Sequence, residues 1–166
     1  MLFNSLEYLL FLPLVVVLYF TIRVRWRWLL LLAASYFFYM CWKAEYALLI
    51  LFTTGVDYLM ALGMDAATTK QKKKQWLVIS LLVNLGMLAG FKYLNFFSES
   101  FNAILSASGS GASFPLFHIL LPVGISFFVF QSLSYTIDVY RGILKPEKHF
   151  GKFALYVSFF PQLVAG

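Results

Sequence analysis

The chain has little with which to build a water-facing surface. Only 12% of its 166 residues are charged, and Asp and Glu together number 7, whereas a soluble domain carries roughly 25% charged residues. One cysteine, Cys41, excludes an internal disulfide and, with only 2 histidines, leaves no Cys/His metal pattern. The thiol reads as a small apolar side chain. No Gly-x-Ser-x-Gly, Walker or zinc-binding helix pattern occurs. Neither His118 nor His149 has a Cys, His or carboxylate at ligand spacing, so no metal site and no complete catalytic constellation is expected. No internal repeat, linker or separate soluble domain is visible.

What abounds is apolar surface. Hydrophobic residues make up 61%, aromatic residues 20%, and mean hydropathy is +0.81, far more than a core of this size can bury. Lipid admits only helices and closed barrels, so the expected fold class is all-α, a polytopic transmembrane helical bundle with the lipid bilayer as its main partner. The net charge of +6 does not point to nucleic acid. The positive residues lie in short loops between apolar runs rather than on one basic face.

Residues 6–22 form the first apolar run. A signal peptide has positive charge ahead of its apolar stretch, but here Glu7 comes first and Arg23, Arg25 and Arg27 follow. The run therefore reads as a span that starts outside. Residues 26–42 form a second, with Trp26, Trp28, Tyr39 and Trp42 as interfacial anchors. Residues 46–64 form a third and 76–97 a fourth, joined by a polar loop, DAATTKQKKKQ, at 65–75. The Ser- and Gly-rich stretch 98–113 reads as a loop with a short surface helix at 101–105.

Formal charge in the successive connections is +3 at 23–27, zero at 43–45, +3 at 65–75, −1 at 98–113 and +3 at 141–152. Positive charge in every second loop predicts about five complete spans with the N-terminus outside, and 65–75 and 141–152 in the cytosol.

The fifth run, residues 114–142, is almost uncharged before Asp138 and Arg141 and long enough to cross a hydrocarbon core of about 30 Å. Pro115 and Pro122 each remove an amide donor, and Gly124 loosens the turn after Pro122. A helix broken at Pro122 and Gly124 is expected, buried among other helices or lining a wet cavity, with Ser126, Gln131, Ser132 and Ser134 as polar partners. A Pro-kinked packing helix is the plainer alternative. Asp138 and Arg141, three residues apart, share a helix face and read as a membrane-edge anchor.

Asp57 and Lys92 are the intramembrane charges. Such groups usually face the bundle or a watery cavity; Asp57 suits either a functional role or structural hydrogen-bond acceptance, and Lys92 suits snorkelling to the outer interface. Their depths differ too much for a direct ion pair. After Lys152 the chain turns apolar again, FALYVSFFPQLVAG, and stops before that run is long enough to span comfortably. The expectation is the front part of a longer chain.

The run LLPVGISFFVFQSLSYTIDVYRG at 120–142, followed by YVSFFPQLVAG at 156–166 and supported by VDY at 56–58 and FKYLNFF at 91–97, resembles the membrane-bound O-acyltransferase family, in particular its alginate O-acetylation branch. The resemblance covers most of the chain from Asp57 onward; the first two spans are generic. It implies that residues 1–166 are the N-terminal part of a single transmembrane acyltransferase domain, whose helices surround a funnel and tunnel. The implied reaction moves an acyl group, acetyl in this branch, from a cytosolic thioester donor toward an extracellular polysaccharide such as alginate. The donor would be acetyl-CoA or an acyl carrier, with no bound cofactor. An extracytoplasmic acetyltransferase partner and a bacterial cytoplasmic (inner) membrane location are implied as well.

The family's catalytic histidine lies further along than this sequence runs. His118 and His149 do not fall on its motif, and FFPQLVAG is the beginning of a motif that normally continues with a proline, so these 166 residues alone are expected to be inactive. Gln131, Ser134, Tyr135 and Asp138 on the fifth run, with Pro161 and Gln162 in the last segment, are the residues expected to line or brace the acyl path. Packing or hydrogen bonding suits each of them equally. D-alanyl transfer to teichoic acid is an alternative within the family. A transporter module or a non-catalytic scaffold are alternatives of other classes, the former disfavoured by the lack of an inverted repeat.

Overall fold

A computed structural model of the protein describes residues 5–41, 44–107 and 125–162. Those residues form helices and connecting turns, with no strand among them. In chain order they are α1 (Leu6–Thr21), a 3₁₀ turn (Val24–Trp26), α2 (Arg27–Met40), α3 (Ala44–Ala66), α4 (Lys70–Ala107), α5 (Ile125–Arg141) and α6 (Phe150–Ser158). The stretches Ala44–Ala66 and Lys70–Phe91 are long and apolar enough to cross a membrane.

Local chemistry sets several of the helix ends. Ser5 Oγ accepts the Tyr8 amide at 3.3 Å, and Glu7 sits in the first turn of α1, where the helix dipole favours negative charge. Thr69 Oγ1 accepts from Lys72 N at 3.3 Å at the start of α4. At the end of α5, Gly142 takes φ +78°, a left-handed conformation that a β-carbon would strain. Ile143 N then reaches Asp138 O at 3.0 Å and Gly142 N reaches Val139 O at 3.1 Å, the paired closure of a Schellman end.

Two segments differ from the sequence expectation. The polar loop 65–75 is already helical from Lys70, and the loop expected at 98–113 is helical as far as Ala107. Both belong to one α4 of 38 residues, about 57 Å long at 1.5 Å per residue, which exceeds a bilayer core. The physical reason is local: the Lys/Gln run is made of good helix formers, and no Gly or Pro interrupts 91–107. The final apolar segment also differs. It becomes helical at Phe150, ahead of the expected Phe153, and α6 closes at Ser158 before Pro161. The break expected at Pro122 and Gly124 lies outside the described residues, as does His118.

The bundle buries a set of polar side chains within a mainly apolar core and exposes many large apolar ones. Ser35, Thr53, Thr54, Asp57, Ser80, Asn84, Ser132, Thr136 and Ser158 are all completely buried, while Leu9, Leu14, Phe20, Leu48, Phe52, Leu59, Leu82 and Phe130 are exposed. The apolar exterior suits lipid, and helices in a membrane gain from small and hydrogen-bonding residues at their contacts. Most of the buried hydroxyls are satisfied within their own helices. Ser35 donates to Leu31 O at 2.8 Å, Thr54 to Ile50 O at 2.6 Å and Ser158 to Ala154 O at 2.7 Å.

α3 is the hub, packed against α2, α4, α5 and α6. Its buried residues Ala47, Ile50, Thr53, Thr54, Asp57, Ala61 and Met64 recur at three- and four-residue spacing, so one face turns inward. Gly63 lets α4 approach: a β-carbon there would lie 2.8 Å from Trp76 Cε2. α1 packs on α2 and touches Phe160 through Tyr8 and Phe11, at ring separations of 6.4 and 5.4 Å.

Candidate functional site

The three positive connections meet at one end of the bundle. The Trp28 and His149 rings lie 4.7 Å apart, joining the turn that begins α2 to the loop before α6. Lys73 Nζ stands 5.9 Å over the Tyr140 ring, joining the start of α4 to the end of α5.

At this end the loop between α5 and α6 forms one side of an open cavity of about 640 Å³ lined by Tyr135, Lys145, Lys148, Lys152, Phe153 and Tyr156, with Leu144, Pro146 and Glu147 completing the wall. Two tyrosines hold the loop. The Tyr58 hydroxyl donates to Lys148 O at 2.6 Å, and the Tyr135 hydroxyl accepts from Glu147 N at 2.8 Å. Glu147 is itself engaged, its Oε1 accepting from His149 N at 2.9 Å. Phe153, buried beneath, has its ring 4.6 Å from that of Tyr135 and 6.1 Å from that of Tyr58. Lysine ammonium groups around an aromatic floor suit a polyanion that also carries a planar ring. Tyr135→Phe should free the loop at a cost of about 1 kcal/mol, seen as faster limited proteolysis between residues 143 and 148, with the bundle's helical content unchanged.

Of the residues expected to line or brace a path, Gln131 and Tyr135 hydrogen-bond to neighbouring segments. Gln131 Nε2 donates to Tyr156 O at 2.8 Å and so ties α5 to α6. Ser134 is exposed, and Asp138 is half-buried with its carbonyl closing the end of α5. Pro161 and Gln162 sit in the turn after α6, where Gln162 N donates to Phe159 O at 3.1 Å. Cys41 is exposed at the end of α2, and His149 precedes α6 as its N-cap residue.

Asp57 lies deeper. Its Oδ1 accepts from Ser80 Oγ at 2.6 Å and from Asn84 Nδ2 at 2.7 Å, both on α4; Ser80 Oγ is 3.5 Å from Thr136 Oγ1 on α5. Lys92 is eight residues beyond Asn84, about 12 Å along α4. Sequence reasoning singled out Asp57 and missed Ser80 and Asn84. Their signal was available: two polar residues four apart in WLVISLLVNLGML mark one polar face on an otherwise apolar helix.

The chain matches no family model and no solved structure. Among curated proteins it is 44% identical to a probable alginate O-acetylase AlgI of Azotobacter vinelandii, over 100% of this chain and 34% of that protein. It is also 44% identical to a probable alginate O-acetylase AlgI of Pseudomonas aeruginosa, covering 100% of this chain and 32% of the relative. A peptidoglycan O-acetyltransferase of Helicobacter pylori is 34% identical over 84% of this chain and 30% of its own length. The chain thus spans about a third of the length of the relatives it matches.

Proposed function

Because the chain belongs to the membrane-bound O-acyltransferase family, we propose that it forms the N-terminal membrane part of an O-acetyltransferase acting on an exported polysaccharide. In this reading residues 1–166 belong to one transmembrane acyltransferase domain with about five spans in a bacterial inner membrane, the N-terminus outside and the positive end in the cytosol. The gathering of the positive connections at one end of the bundle supports that orientation under the positive-inside rule.

The observation that carries the functional reading is the lysine-rimmed aromatic cavity at that end. A cytosolic acetyl thioester such as acetyl-CoA bears phosphates and an adenine ring, which match ammonium groups and aromatic faces respectively. The cavity would hold the charged end of the donor while the acetyl group is directed inward, shielded from water that would hydrolyse the thioester. Gln131 and Tyr135 would brace the wall between cavity and bundle, and a break at Pro122 and Gly124 would orient the Gln131–Asp138 face. The acceptor is an extracytoplasmic polysaccharide, alginate or a chemically related chain, reached through a partner acetyltransferase on the outer side. The H. pylori relative's name, peptidoglycan O-acetyltransferase, supports a polysaccharide acceptor broader than alginate.

Sidedness tests this. In membrane vesicles containing the full-length enzyme, labelled acetyl-CoA supplied outside should acetylate polysaccharide in inverted vesicles and fail to do so in right-side-out ones. Equal incorporation in both would rule out a cytosolic donor site.

A further inference from the structure

The interior of the bundle holds a cluster of buried polar groups apart from the lysine-rimmed cavity. Asp57 on α3, Asn84 on α4 and Ser132 on α5 are each fully buried. Asp57 Oδ1 is saturated by Ser80 Oγ and Asn84 Nδ2. Asp57 Oδ2, Asn84 Oδ1 and Ser132 Oγ, one oxygen on each of these residues, have no hydrogen-bond partner. Ser132 faces the carboxylate without reaching hydrogen-bonding geometry. Among the described residues no Lys, Arg or His side chain faces Asp57; its surroundings are the hydroxyls and amide of α4 and α5.

A buried carboxylate without a counter-charge is among the costliest groups a membrane bundle can hold. We propose that Asp57, Asn84 and Ser132 bind one sodium ion between α3, α4 and α5. All the unpartnered atoms are hard oxygens, with no nitrogen or sulfur among them, which suits a hard cation rather than a transition metal. A single carboxylate balances a single charge, whereas calcium takes six to eight oxygens, commonly from several carboxylates. A proton on Asp57, with the Ser132 hydroxyl both accepting and donating, is the rival occupant that the test below separates from the ion. Water would fill hydrogen bonds but leave the charge in place. The hydroxyls of Ser80 and Thr136, 3.5 Å apart beside the carboxylate, offer further oxygens. The ion would pin three helices at one level, and the inference stands independently of what the enzyme acetylates.

The test is thermal unfolding of the full-length chain in lipid nanodiscs, in sodium, potassium or N-methylglucamine chloride at equal ionic strength. Sodium should raise the melting temperature saturably by a few degrees, as expected for a ligand that binds only the folded state. Asp57→Asn should abolish the sodium effect. Ser132→Ala, which removes one ligand and leaves the packing, should shift the sodium dependence about tenfold upward, and it decides the matter if the Asp57 variant does not fold. Identical melting of the wild-type chain in the three salts would overturn the site and leave a protonated Asp57 in its place.

Discussion

Reversing two charges at the cavity mouth, Lys148→Glu with Lys152→Glu, should lower acetyl transfer at subsaturating donor about a hundredfold and leave the rate at saturating donor near that of the parent enzyme. Both lysines are exposed and line the cavity, so in the proposed donor site each ammonium would act on a phosphate through partly screened water. A contact of that kind contributes about 1 kcal/mol or less. Reversal removes the attraction and adds a repulsion of similar size, so two reversals total roughly 2.7 kcal/mol, or a hundredfold. The loss should appear in KM because on this proposal these groups would meet the remote end of the donor and bind ground and transition states alike. Raising salt should weaken the parent enzyme and leave the variant little changed. Initial rates against donor concentration at two ionic strengths give both readings. An unchanged KM would place the donor elsewhere.

Asp57→Ala should be the most damaging single substitution inside the bundle. The carboxylate is the shared acceptor for Ser80 and Asn84, and both donors are fully buried. Without it Asn84 Nδ2 keeps only Ser80 O, at 3.0 Å, and Ser80 Oγ only Thr136 Oγ1, at 3.5 Å. Each stranded polar group costs about 1–3 kcal/mol, so the total is expected to be roughly 3 kcal/mol or more. Yield from membranes and the melting temperature of the full-length protein should both fall steeply. Leu82→Ala, on the exposed apolar face of α4, is the matched control and should leave both nearly unchanged.

The spans were legible because their signal is additive. Apolar runs declare themselves one by one as helices, and the structure places α1 to α5 on those runs, with Ala44–Ala66 and Lys70–Phe91 long and apolar enough to cross a membrane. The extent of α4 was not legible by the same rule, since Ser98 to Ala107 and Lys70 to Gln75 are polar and polarity was read as loop. A helix that outlasts the bilayer has no reason to stay apolar, so only helix propensity distinguishes it there. Asp57 drew attention as a lone carboxylate in an apolar run, but its bonds to Ser80 and Asn84 depend on the registry of α3 against α4, which the composition of neither helix reveals. Likewise Lys145, Lys148 and Lys152 read as a topology signal. Only the fold of the loop, held by Tyr58 and Tyr135 over Phe153, turns them into the rim of a cavity.

The claim that this cavity receives the donor is tested most directly by photolabelling the full-length enzyme in native membranes with acetyl-CoA carrying an azide on its adenine ring. Peptide mapping should place the adduct within residues 135–156, at Tyr135, Tyr156 or the lysine-bearing loop, and excess unlabelled acetyl-CoA should suppress it. Adducts confined to other segments, or labelling of this loop that unlabelled donor does not reduce, would contradict the account.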